Sequence, residues 1–125
     1  MSLEEVLEEV RVRLREKIKH QLSGLQGFVV KPIYNSRMPL CLEMLAGGQM
    51  FEVMFLVDGE IELKRGRSSN PDIRIESDSE TLRKLLQNPS ADSFKDLETR
   101  KQIRIIALTQ NGRDTEAYIR HYLAT

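Results

Sequence analysis

The chain has 125 residues, with 19 Lys and Arg balanced by 19 Asp and Glu, so its net charge is zero. That length predicts a single domain over residues 1–125 with one real core, and the charge balance calls for neither nucleic acid nor an anionic membrane as partner. One cysteine, Cys41, excludes an internal disulfide and a thiolate metal cluster; no apolar run reaches spanning length, and the acidic start Met1 to Glu9 is unlike a secretory signal, which leads to the expectation of a soluble cytoplasmic protein.

Residues 2–23 predict a helix. Leu3, Leu7, Val10, Leu14, Ile18 and Leu22 recur at steps of three and four and fall on one stripe. Ser2 with Glu5 forms a capping box. Acids fill the start and bases the end, as the helix dipole favours, and Gly24 is the expected stop. Arg11, Arg13, Arg15 and Lys17 flank the stripe. Such a rim suits a core-facing helix, and equally one that touches an anionic lipid surface transiently.

Phe28 to Tyr34 reads as extended, an edge strand or crossing segment because Pro32 cannot donate to a ladder. Leu40 to Leu45 alternates, Gly47-Gly48 turns, and Phe51 to Val57 returns. Asp58-Gly59 then turns the chain into Ile61 and Leu63. The three strands predict an antiparallel meander. Arg65 to Pro71 is a polar loop. Asp72 to Glu76 is a short strand with Ile73 and Ile75 inward, and Ser77 with Glu80 predicts a cap for a helix carrying Leu82, Leu85 and Leu86. Asn88-Pro89 breaks it. Ser90 caps a short helix with Phe94 and Leu97, Gln102 to Leu108 is the last strand, and Asn111-Gly112 turns into a helix over 114–123 with Tyr118, Ile119, Tyr122 and Leu123.

Val53 to Val57 is apolar at every position, so this strand needs apolar cover on both faces. One sheet face gathers Leu40, Leu42, Met44, Phe51, Val53, Phe55, Val57, Ile61, Leu63, Ile73, Ile75, Ile103 and Ile105, and helices must cover it. The other carries Cys41, Leu45, Met54, Leu56, Ile106 and Leu108 among charges. A second helix, the Phe28 segment, another subunit or a lipid are the candidates to cover it.

Catalytic constellations are missing from the pattern. His20 and His121 each sit near a helix end, where a cation suits the dipole. Cys41 reads as a small buried hydrophobe, and no nucleophile elbow, zincin helix or Walker A loop occurs. The expectation is a protein that is not an enzyme and uses no metal or cofactor. Basic clusters at Arg11 to His20, Lys64 to Arg67 and Arg100-Lys101 read as solvated faces. The four Phe and three Tyr sit mostly on core periodicities, so nucleic acid is not expected.

From the meander onward, over residues 38–123, the chain resembles the sterol carrier protein type 2-like lipid-binding domains. The resemblance rests on "FLVDGEIELKRG", on "PDIRIESDSETLRKLL" and on "NPSADSFKDLETRKQIRIIALTQNGRDTEAYIRHYL". It departs where Lys95, Asp96 and Leu97 follow Phe94, and the chain has no Trp. The resemblance implies an α+β fold: a helix, a three-stranded antiparallel meander, a crossover, then strand, helices and strand. The sheet has five or six strands, mainly antiparallel, with helices over one face. It also implies an apolar tunnel between that face and the helices, holding a fatty acyl, sterol or isoprenoid chain.

The expected lining is Leu42, Met44, Val53, Phe55, Ile61, Leu63, Ile75, Leu82, Leu86, Phe94, Ile105, Tyr118 and Tyr122, with Arg100 or Arg104 as head-group partners by charge alone. Two functional readings stay open. One is non-enzymatic lipid binding or transfer, with an apolar lipid as partner. The other is a ligand-free interaction module with the same fold, a homodimer or an enzyme-assembly partner, using Met54, Leu56, Ile106 and Leu108 as its contact surface.

Overall fold

A computed structural model describes residues 1–124. Helix α1 spans Leu3–Gln21 and opens on the expected capping box. Ser2 Oγ accepts the Glu5 N–H at 3.2 Å, and the Glu5 carboxylate accepts the Ser2 N–H at 3.2 Å. Leu3, Val6, Leu7 and Val10 are buried, and Leu14 and Ile18 pack on the same core from its margin. Each of the buried four contributes about 1.5–3 kcal/mol by leaving water. Two of the four rim residues, Arg11 and Arg15, are in ion pairs. Arg11 pairs with Glu8, while Arg15 and Lys19 clasp Glu60 at the foot of the meander and hold its carboxyl down to about 2.

The next segment corrects the reading of Phe28 to Tyr34 as extended. Gly24–Ser36 is helix α2, and Gly24, at φ +73°, turns the chain out of α1 rather than ending it alone. Leu25, Phe28, Val29, Pro32 and Ile33 recur at helical steps, and that period outweighs the breaker. Pro32 removes one helical N–H bond, the one that would reach the Phe28 carbonyl. On a helix exposed along most of its length, solvent can satisfy that oxygen.

Strands β1 (Leu40–Ala46), β2 (Gln49–Phe55) and β3 (Ile61–Arg65) form the expected antiparallel meander, with Leu42 opposite Val53 and Val53 opposite Leu63. Between β2 and β3, Asp58 and Gly59 both take positive φ, 62° and 80°, which a two-residue turn of this hand requires. β2 stops at Phe55, so Val57 lies in the turn and is exposed rather than inward.

β4 (Ile73–Ser77) runs parallel to β1, and β5 (Ile103–Ala107) runs antiparallel to β4, giving one five-stranded sheet in the order β3-β2-β1-β4-β5. Helix α3 (Ser79–Gln87) is capped by Asp78, whose carboxylate accepts the Thr81 N–H at 2.8 Å. Ser77, the expected cap, is still in β4, and its hydroxyl donates to the Gln102 carbonyl. Helix α4 (Ala91–Thr99) is capped by Ser90 as expected.

Helix α5 (Gln110–Ala124) begins four residues before the expected 114. Asn111-Gly112 is its first turn, not a loop. Gly112 is needed there for space, because a Cβ would sit 2.0 Å from the Asp72 carbonyl oxygen. Together the elements make an α+β fold whose helices α1, α3, α4 and α5 share one apolar core with one face of the sheet.

Candidate functional site: the apolar layer between sheet and helices

The pleat decides what this layer contains. Leu42, Met44, Val53, Phe55, Ile61, Leu63, Ile75 and Ile105 share one face through the registers Leu42–Val53, Met44–Ile75, Val53–Leu63 and Ile75–Ile105. From the helices, Leu82 and Leu86 of α3 and Phe94 of α4 descend onto it, with Tyr122 of α5 at the margin. Of the thirteen expected lining residues the fold brings twelve together. The exception is Tyr118, which is 77% exposed on the outer side of α5.

Leu63, Ile105 and Tyr122 are partly buried; the other nine are buried. Arg120 roofs the layer, its guanidinium 5.8 Å from the Phe94 ring centroid and bonded to Glu98 and Glu116, so α4 and α5 are tied together. Neither cationic head-group candidate faces the layer. Arg104 projects from the opposite side of β5 and pairs with Glu76 at 3.3 Å, and Arg100 pairs with Asp96 at 3.2 Å.

Two hollows lie at the surface. One of about 410 Å³ is an open groove at the junction of α1 and α2, lined by Leu22, Gly24, Gly27, Phe28, Lys31, Pro32 and Asn35. The other, of about 280 Å³, runs between the start of α1 and β3 beside Glu4, Glu8 and Leu63. Neither lies between the sheet and the helices.

Two buried polar groups on α2 and α5 escaped the sequence reading. The Tyr34 hydroxyl on α2 and the Asn111 side-chain carbonyl oxygen on α5 are buried without a hydrogen-bond partner among the described residues. Burial pushes the Tyr34 phenol above its ordinary value. The two elements meet here, since Asn111 donates to the Arg37 carbonyl at 2.8 Å and Arg37 pairs with Asp114.

The opposite sheet face is covered only around Cys41 and Glu43, while Leu45, Met54, Leu56 and Ile106 are half-buried and Leu108 is exposed. The loop after β3 folds over Cys41 and Glu43: the Ser68 N–H donates to Glu43 at 2.8 Å, and Ser68 Oγ lies 2.9 Å from Cys41 Sγ. Glu43 is fully buried, a feature its place in an alternating strand conceals. Burial pushes its carboxyl up, but the Arg74 guanidinium at 2.8 Å, the Ser68 N–H and the charge of Arg67 outweigh that and hold it below the ordinary value. Burial raises the Cys41 thiol, so it stays protonated and packs as a small hydrophobe. Over Cys41 and Glu43 the cover is therefore the loop at Arg67 and Ser68. Among the described residues no group of three or more His, Cys, Asp and Glu is placed to hold a metal ion, and no helix is long and apolar enough to cross a membrane.

This order of elements, with helices over one face of a mixed five-stranded sheet, is the sterol carrier protein 2-like fold. No protein-family model matches the chain, and no curated protein matches it in sequence. Among solved structures it is similar to palmitated SCP2L2 from Aedes aegypti, with 15% identity and a TM-score of 0.57 over 100% of this chain and 96% of that one. It is also similar to UbiJ-SCP2, a ubiquinone synthesis protein, with 12% identity and a TM-score of 0.52 over 93% of this chain and 96% of that one. At these identities the likeness is one of fold.

Proposed function

We propose that the chain is a non-enzymatic binder of an apolar chain, of the fatty acyl, sterol or isoprenoid class, which it takes up between the sheet and the helices. The observation that carries this reading is the convergence of twelve apolar side chains on one layer between the sheet and the helices. Binding is by burial, at roughly 25 cal/mol per Å² of apolar surface. Tyr34 supplies a donor hydroxyl to a carboxyl or carbonyl head group, and the Asn111 carbonyl oxygen can accept only from a group that carries a proton, such as a hydroxyl or a protonated carboxyl.

Entry requires the helices to ease away from the sheet. A permanently dry hollow of about 300 Å³ would cost on the order of 7 kcal/mol, so a layer that closes on itself and opens to a ligand is the economical design. Met44 suits such a lining because thioether chains re-pack readily. The palmitate of the Aedes structure is in keeping with this reading.

The burial of nine of these twelve side chains favours a second reading, an interaction module with no ligand. Native mass spectrometry, together with titration of a dansylated undecanoic acid, separates the two. A bound lipid or saturable fluorescence supports the first. A protein that takes up no acyl, sterol or isoprenoid probe supports the second.

A further inference from the structure

Helix α2 presents an apolar stripe to solvent. Leu25 is 89% exposed, Phe28 83%, Val29 68% and Ile33 63%, while the one buried residue of the helix is Gly27, pressed against the Leu22 carbonyl. Leu25, Val29 and Ile33 are four residues apart and make one ridge; Phe28 and Pro32 make a second beside it. Exposed apolar residues scattered singly are ordinary, whereas two adjoining ridges on one helix mark an interaction surface.

Charge narrows the partner. α2 carries one charged side chain, Lys31, and Asp58 holds it at 3.4 Å. Asn35 is bonded to the same aspartate: it donates to the carboxylate at 3.0 Å and accepts the Asp58 N–H at 2.9 Å. The helix therefore offers no unsatisfied charge to a charged partner. It suits an uncharged apolar surface like itself, and a chain of zero net charge is not repelled by its own copy.

The stripe is also self-complementary. Leu25 and Ile33 lie four residues to either side of Val29. With two helices antiparallel, a two-fold axis beside Val29 sets Leu25 of one copy against the partner's Ile33, and Val29 against the partner's Val29. This direction also brings the positive N-terminal end of each helix beside the negative C-terminal end of the other. The groove of about 410 Å³ at the α1–α2 junction runs along the Phe28–Pro32 ridge. The two-fold axis keeps that edge of both helices on the same side of the pair, so each Phe28 faces the groove of the other copy. One surface thus carries both the projection and the hollow that receives it.

Area sets the strength. Thirteen residues make a helix about 20 Å long and about 11 Å across, whose outward half presents roughly 350 Å². A standard protein contact buries about 800 Å² on each partner, and the weak, transient class less than about 600 Å². We propose that α2 is a self-association surface on which two copies of this chain pair antiparallel, as a weak and reversible dimer. The pairing does not rest on lipid uptake, because Leu25, Phe28, Val29 and Ile33 lie outside the layer between the sheet and the helices.

The test is sedimentation equilibrium of the full chain from about 5 to about 500 μM, a span that brackets the weak class. The average mass should climb from one chain toward two, with a midpoint on the order of 10–100 μM. Val29→Asp sets two carboxylates face to face and should weaken the dimer tenfold or more. Its melting curve in dilute solution should match wild type, because that side chain is exposed. Leu25→Lys and Ile33→Glu should each weaken the dimer several-fold. Leu25→Lys/Ile33→Glu should return it to within about threefold of wild type, because the antiparallel register sets the new ammonium of one copy against the new carboxylate of the other. A chain that stays monomeric at the highest concentration, whatever else the stripe binds, overturns the proposal. So does a dimer indifferent to Val29→Asp, or a double variant weaker than either single one.

Discussion

Leu82 lies at the centre of the account, and Leu82→Ala is its most informative perturbation. The side chain is completely buried, reaching from α3 into the layer formed with Ile75 and Phe94. Truncation removes its transfer energy and leaves a cavity, for a loss of about 3 kcal/mol. With an unfolding entropy of about 2.1 cal/mol/K per residue over 125 residues, that corresponds to a fall in Tm of about 11 °C. Differential scanning calorimetry reads it directly.

The second half of the experiment adds the dansylated fatty acid at ten times its measured Kd. Binding to the folded state alone adds about 1.4 kcal/mol, which restores about 5 °C. The variant should gain at least as much as wild type, because the space it opens lies where the chain is expected to bind. A fall below about 4 °C would show that Leu82 is not in a tight layer. A full fall that the fatty acid does not relieve, in a wild type that also ignores it, would refute the uptake of a chain here.

Four further outcomes follow from named contacts. Gly112→Ala should lose roughly 2 kcal/mol in urea denaturation despite alanine's better helix propensity, because its Cβ meets the Asp72 backbone oxygen. Glu43→Gln should lose about 2 kcal/mol at pH 7. The folded carboxyl of Glu43 lies below its ordinary 4.5, so its contribution is present above that pH and lost as pH falls through the folded value. The gap between wild type and Glu43→Gln should therefore narrow in melts taken progressively below pH 4.5. Tyr118→Ala should stay within about 0.5 kcal/mol and leave fatty-acid affinity unchanged, since the ring lies outside the layer. Tyr34→Phe should weaken a fatty acid but not its methyl-capped hydrocarbon analogue, by roughly 1 kcal/mol in titration.

Much of the architecture is legible in local chemistry. Ser2 and Glu5 fix the start of α1, Asp58-Gly59 fixes the tightest turn, and the alternation around Leu42, Val53 and Ile75 assigns the buried face. What is not legible depends on contacts between distant residues. Pro32 hides α2, because a proline argues against a helix unless the helix is exposed enough to leave a carbonyl to water. Asn111-Gly112 has the chemistry of a turn, and only the approach of Asp72 shows that the glycine is there for space. Ser77 and Asp78 can each cap a helix, and the choice is made by the length of β4.

The candidate site divides in the same way. Its apolar members follow from periodicity, and Tyr118 fails because helix α5 is rotated so that Leu123, not Tyr118, points inward. The buried carboxylate of Glu43 and the buried hydroxyl of Tyr34 carry no sequence signal. Glu43 owes its burial to a segment far away, the loop at Ser68.

The central claim is that hydrocarbon enters between the sheet and its helices. Isotope-filtered NOE spectroscopy on labelled protein with unlabelled palmitate tests it most directly. Cross-peaks from the acyl methylenes to the methyl groups of Leu42, Ile75, Leu82 and Leu86 are the expected result. Cross-peaks confined to Leu25, Val29 and Ile33 on the surface of α2, or none at all, would contradict it.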